Sequence, residues 1–245
     1  MSYNGAHLLE CPMKAIGPEV RKEYMSIQCR RRAAELLSGM KRPRMGRRLI
    51  SLALSVAAMG LCVAVFDRIG LGTDPCSCMN LGFSRLLGIP FGTWQLMLNA
   101  LLLLVVIRFD PGRIGAGTVA NMVFVGYIAE FFMGVFDRFP ALSAMTLPVR
   151  LAVFVPTMAL FLLAASIYMV VDLGVAPYDG VPQIIAAHTR HMSFRAVRMC
   201  WDVGVMTLGF LLGSTVGLTT VVTGFCLGPA IAAVGERVRG FYEES

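Results

Sequence analysis

Leu71-Gly72-Thr73-Asp74-Pro75 and, 102 residues further on, Leu173-Gly174-Val175-Ala176-Pro177 are two versions of one pentapeptide. The same offset carries Gly115, Thr118 and Gly126 onto Gly217, Thr220 and Gly228, and a shift of one residue between these anchors places Phe91 on Phe194 and Asn99 on Asp202. The chain therefore reads as a duplicated unit of apolar span, Gly/Pro loop, short helix, span, tight glycine turn and span. Three spans per unit is an odd number, so the second unit enters a membrane from the face opposite the first, which is inverted-topology symmetry. This predicts membrane repeats over 49–145 and 146–238, a basic tail over 1–48 and a short cytoplasmic end over 239–245.

Outward from the two pentapeptides the composition supports the same reading. The 245 residues are 56% hydrophobic and only 15% charged, with a mean hydropathy of +0.69, against roughly 45 to 50% and 25% in soluble domains. A helix needs about 20 apolar residues to cross the ~30 Å hydrocarbon layer. Runs of suitable length fall at 49–66, 91–107, 118–136, 151–171, 196–212 and 216–234, which predicts six spans in an all-α multi-pass fold. The segments 76–87 and 178–188, just after the two prolines, are too short to span. They either re-enter the bilayer or lie along its surface.

Charge sets the expected orientation. Residues 1–48 hold eleven Lys and Arg against four Glu, which accounts for the whole net charge of +7. Cations beside the first span hold that end in the cytoplasm and attract anionic lipid headgroups. With six spans Arg108, Arg113, Arg190, Arg195, Arg198, Arg237 and Arg239 share that side, and the opposite side receives Arg68, Arg85, Arg138 and Arg150, offset by Asp67, Asp74 and Asp137. Both termini are thus expected in the cytoplasm and the chain in the plasma membrane, the inner membrane of a bacterium. Residues 19–37 have some amphipathic character and read either as a surface helix or as a disordered tail. No apolar segment with a small-residue cleavage site precedes the first span, so no cleaved signal peptide is expected; Met40 and Met45 sit just before that span, and an over-called translation start is a further explanation for the tail. The tail lacks a stacking series or docking motif, so nucleic acid is not expected as a partner.

The order Leu173-Gly174-Val175-Ala176-Pro177-Tyr178-Asp179, with Gly117-Thr118 opening a later helix, resembles the YczE/YitT-like bacterial membrane proteins over about residues 45–235. The first copy departs from the motif, with Pro75-Cys76-Ser77 where the second has Pro177-Tyr178-Asp179. The resemblance implies a multi-pass plasma-membrane protein and says little about a substrate.

An ionisable group at mid-bilayer costs a few kcal/mol and is a candidate site by default. Glu130, in the outer third of the third span, reads as a neutral group, a partner to a cation, or a proton-binding group. Asp202 follows Arg198 by four residues, which lets the two pair on one helix face. Its repeat-mate Asn99, with Gln95 one turn earlier, places amides at the equivalent depth, and Asn121 adds another; such amides commonly serve as interhelical glue. If the two halves face one another, Asp74, Asn99, Glu130, Asp179 and Asp202 line a polar centre, and these five are the candidate substrate-binding residues.

No cofactor or metal is expected. The seven cysteines are scattered, Cys76 and Cys78 lack companion ligands at metal spacing, and His188 and His191 flank Arg190 without a third ligand. Gly204, Gly209, Gly213 and Gly217 are expected to allow close helix approach. With no phosphate loop, nucleophile elbow or zinc-protease motif, an enzyme is not expected. The leading expectation is a permease for an unknown small solute, working through its inverted halves, with homo-oligomerisation open. The alternative is a non-transporting scaffold for a membrane-associated partner.

Overall fold

The computed structural model describes residues 45–139, 145–189, 192 and 194–243; the predictions made for the tail lie outside them. Among the described residues there are eight longer helices, α1 (Met45–Ile69), α2 (Pro75–Leu87), α3 (Phe91–Phe109), α4 (Ala116–Asp137), α5 (Leu147–Val171), α6 (Pro177–His188), α7 (Phe194–Leu211) and α8 (Leu218–Glu243), and a single 3-10 turn over Pro111–Arg113. No strand occurs among the described residues. Four predicted apolar runs lie within α1, α3, α4 and α5; those at 196–212 and 216–234 fall on α7 and α8 but overrun their bounds by one and two residues. Four of them, α1, α3, α4 and α5, are long and apolar enough to cross a bilayer. α7 has 18 residues and carries Arg195, Arg198 and Asp202, and α8 is apolar over Leu218–Leu227 among the described residues.

The helix boundaries follow from local chemistry. α1 stops at Gly70, whose φ of 66° is the left-handed conformation that closes helices. α2 opens on Asp74, whose side chain accepts from Ser77 N at 3.1 Å, with Pro75 in the first turn. It ends at Gly88, where Ser84 Oγ donates to Ile89 O. α6 likewise opens on a proline, Pro177, with Asp179 in its first turn.

The distribution of polarity is that of a protein dissolved in lipid. Leu54, Leu104, Phe131, Val155, Phe210, Leu211 and Phe225 are exposed, whereas Asn80, Gln95, Asn99, Thr118, Ser166, Asp202, Thr219, Thr220 and Thr223 are buried. Water would reward the reverse arrangement; hydrocarbon outside and hydrogen-bonding groups inside is the solution for a bilayer. The apolar core joins α1 to α5, where Phe66 meets Phe161 edge-on at 5.7 Å among Cys62, Val63, Phe154 and Met158.

The short helices reach across the chain. α2 packs on α7, and α6 packs on α3. Both are buried near their N-termini and exposed toward their C-termini, as Leu87 and Ile185 show. The chain turns directly from the end of α2 into the start of α3 at Phe91, while His188, the last residue of α6, sets its ring edge-on to Phe109 at the other end of α3. The exposed ends of α2 and α6 thus lie at opposite ends of one 19-residue helix, roughly 28 Å apart along its axis.

Two crossings lock this arrangement. Leu71 O accepts from Thr219 N at 3.1 Å, and Leu173 O accepts from Gly117 N at 2.7 Å. Gly72 and Gly174 both have positive φ, and a methyl group on either would lie 2.5 or 2.6 Å from the backbone N of Gly217 or Gly115. A methyl on Gly115 would come within 2.1 Å of Leu173 O and one on Gly217 within 2.3 Å of Leu71 O. Only glycine fits at these crossings. Gly209 is similarly close to Cys78 and Met79, but Gly204 and Gly213 have open space above them, so close approach does not explain those two; Gly213, at φ 82°, serves the turn after α7.

Candidate functional site

A cavity of about 90 Å³ lies where the two Gly/Pro loops meet. The loop before α2 contributes Asp74, and the first turn of α2 contributes Pro75, Cys76 and Ser77. From the other half come Ala176, Tyr178 and Asp179. α3 adds Gln95 and Asn99, α7 adds Arg198 and Asp202, and α4 adds Asn121 and Val125 from a π-helical turn over Asn121–Val125. Such turns interrupt the regular ladder and recur at functional sites.

The lining is paired. Met59 and Phe161, Val63 and Ala165, Cys76 and Tyr178, Ser77 and Asp179, Gln95 and Arg198, Asn99 and Asp202, Asn121 and Thr223 are separated by 102 or 103 positions, and both members of every pair face the cavity. Asp74 is matched in this way by Ala176. The two sides are chemically different.

On the second-half side the polar groups satisfy each other. Arg198 Nη1 donates to Asp179 Oδ1 at 2.6 Å and Nε to Asp202 Oδ2 at 2.8 Å. Tyr178 donates its hydroxyl proton to Asp202 Oδ1 at 2.7 Å, and its ring lies beneath the guanidinium, 5.5 Å from ring centre to Cζ. Charge-assisted bonds of this kind are short and strong, and they let a guanidinium and two carboxylates exist away from water. The pair expected between Arg198 and Asp202 therefore forms, and Asp179 joins it. Arg198, counted in the sequence among the cations of the cytoplasmic side, lines the cavity, where two carboxylates hold it.

On the first-half side the same positions carry neutral groups. Asn99 Nδ2 donates to Gln95 O at 3.0 Å within α3. Asp74 spends Oδ2 on Ser77 N. Asp74 Oδ1, Gln95 Oε1 and Asn99 Oδ1 are buried and have no hydrogen-bond partner among the described residues.

Four of the five predicted site residues, Asp74, Asn99, Asp179 and Asp202, line this one cavity. Glu130 does not. Its Oε2 accepts from Gly92 N at 2.8 Å, so it caps the N-terminus of α3 from the neighbouring α4. A carboxylate there is favoured because the first N–H groups of α3 have no partner within the helix and Pro90, at the cap position, supplies no side-chain acceptor. Two members of the second-half network, Tyr178 and Arg198, are not among the predicted five. Their signal was present: Tyr178 directly follows the second proline, and Arg198 is the repeat-mate of Gln95.

Among the described residues no cluster of three or more His, Cys, Asp and Glu is arranged to hold a metal ion. His188 Nδ1 lies 2.9 Å from Ile184 O within its own helix. Arg48 donates to Val171 O at the end of α5, and Arg68 to Phe136 O and Phe139 O at the end of α4. These cations sit where helix C-termini are partly negative.

An all-helical body that turns its large apolar side chains outward and encloses its polar ones defines an integral membrane protein. The chain belongs to the family of unknown function DUF6198, whose model matches residues 46–236. It is 26% identical over 183 residues to an uncharacterized protein of Haemophilus influenzae, covering 75% of this chain and 80% of the relative. It is 23% identical over 175 residues to the uncharacterized membrane protein YczE of Bacillus subtilis, covering 71% and 78%, so the YczE-like resemblance read from the Gly/Pro motifs holds. No solved structure matches the chain significantly.

Proposed function

We propose that this protein is a small-solute permease of the bacterial inner membrane, built from two inverted repeats of three spans each, with both termini in the cytoplasm and no enzymatic activity. One observation carries the reading: the interrupted loops of both halves, with their following helix N-termini, converge on one cavity whose lining includes charged and amide side chains. Inverted-repeat transporters place broken helices around a site near the bilayer midplane, and non-helical backbone at that depth is tolerated where it lines a cavity. The paired lining, the matched crossings at Leu71–Thr219 and Leu173–Gly117, and the exposed ends of α2 and α6 at opposite ends of α3 all fit two copies related by inversion.

In this reading α7 counts as a span despite its charges, since Arg198 and Asp202 neutralise each other in the interior and Arg195 lies in the first turn. Rocking of one half against the other would expose the cavity alternately to each face. The test is flux into proteoliposomes from a panel of small cationic, neutral and anionic solutes. Uptake by the parent chain that falls at least tenfold in Asp74→Asn and Asn99→Leu supports the permease. Absence of flux for every class, together with a partner that is captured by the full chain and lost when residues 2–43 are deleted, contradicts it and favours a scaffold.

A further inference from the structure

We infer that the ligand of the cavity is a small monovalent cation, held by oxygen atoms of the first half; the inference rests on reading this cavity as the transport site. The first support is the character of the unsatisfied atoms. Asp74 Oδ1, Gln95 Oε1 and Asn99 Oδ1 are all acceptors, all buried, and all without a donor among the described residues. Gln95 and Asn99 are 5% and 2% exposed. The orientation of the Asn99 amide is fixed, because only its nitrogen can donate to Gln95 O. A buried acceptor without a partner costs about 1–3 kcal/mol, and three in one cavity lining favour an occupant that brings positive charge or N–H or O–H donors.

The second support is charge. The lining carries three carboxylates, Asp74, Asp179 and Asp202, against the single guanidinium of Arg198. Three features of the site favour an anion, and each is already answered. The N-terminus of α2 is occupied by Asp74 Oδ2, α6 has Asp179 in its first turn, and Arg198 is held by two carboxylates. What is left over is oxygen. Carboxylate and amide oxygens suit hard cations rather than soft, thiolate-seeking metals, and the lining thiol of Cys76 already accepts from Asn80 Nδ2 at 3.4 Å. Within the unsatisfied set only Asp74 can carry charge, which matches one positive charge and not two. The volume also limits the ligand, since about 90 Å³ lies well below the ~300–1,000 Å³ of pockets for drug-sized molecules.

Thermal unfolding of the full-length protein in detergent tests this directly, in sodium, potassium, ammonium or methylammonium chloride, with N-methyl-D-glucamine chloride holding ionic strength constant. We expect at least one small cation to raise the melting temperature saturably, and its half-saturating concentration to rise at least tenfold in Asp74→Asn and Asn99→Leu. Asn is itself a good helix cap, so Asp74→Asn keeps the start of α2. Asp137→Asn makes the same chemical change on an exposed side chain and should leave the response unaltered. The ion that saturates separates alkali metals from ammonium-type ligands. No cation-dependent stabilisation, or stabilisation equal in the parent and both cavity variants, overturns the inference. Stabilisation without flux upholds the cation site and refutes the permease; flux of an anion or neutral solute without cation stabilisation does the opposite.

Discussion

Corresponding positions on the two sides of the cavity have been finished in opposite ways. In the second half Tyr178, Asp179, Arg198 and Asp202 close into a network in which the guanidinium and both carboxylates are engaged. In the first half Cys76, Ser77, Gln95 and Asn99 occupy the equivalent places, and with Asp74 they leave oxygens unanswered. A buried ion network resists the loss of any member, whereas unsatisfied oxygens weaken the resting fold and await a ligand. In the proposed reading of two diverged copies, the networked side is a rigid wall and the other side the binding face.

The largest effect should come from breaking the wall. Arg198→Met strands Asp179 and Asp202, and removing one partner from a buried ionic cluster costs about 3–5 kcal/mol. Gln95→Met, at the matching position, discards a buried acceptor without a partner and should not destabilise, with a gain of up to about 1–3 kcal/mol. Chemical or thermal unfolding in detergent measures both, and equal losses would erase the distinction between the halves. Next come the crossings: Gly115→Ala and Gly217→Ala press a methyl against Leu173 O and Leu71 O and should each cost about 1–3 kcal/mol. Gly134→Ala and Gly204→Ala, where nothing lies within 4 Å, should stay within ~0.5 kcal/mol. If only one crossing proves sensitive, the two halves are not locked in the same way.

Tyr178→Phe removes the hydroxyl bond to Asp202 Oδ1 and should cost about 2 kcal/mol, as expected of a bond to a charged acceptor, while Cys76→Ala opposite it should be milder in the same assay. The smallest effect is expected at Glu130. Glu130→Ala uncaps α3 and should cost about 1 kcal/mol with flux changed less than twofold; a tenfold loss of flux would return Glu130 to the transport machinery.

Much of this was legible in the sequence because lipid imposes coarse rules. Long apolar runs gave the helices, and the offset of 102 between the pentapeptides gave the loops that meet at the cavity. The i,i+4 spacing of Arg198 and Asp202 gave their pairing. What could not be read depends on contacts between distant segments. Glu130 looked like an intramembrane site because nothing in the order of residues reveals that Gly92 N lies 2.8 Å away. That Arg198 holds a second carboxylate could not be read, because Asp179 is 19 residues back and on another helix. The packing of α2 on α7 and α6 on α3 is likewise tertiary, and no local periodicity announces it.

The opposed orientation of the halves is tested most directly by accessibility of single thiols in intact cells, with the seven native cysteines replaced. Leu87→Cys and Ile185→Cys place reporters on exposed positions toward the ends of α2 and α6. A membrane-impermeant maleimide should modify Leu87→Cys in intact cells and Ile185→Cys only after the membrane is opened. Modification of both from the same side would contradict two inverted halves meeting at one cavity.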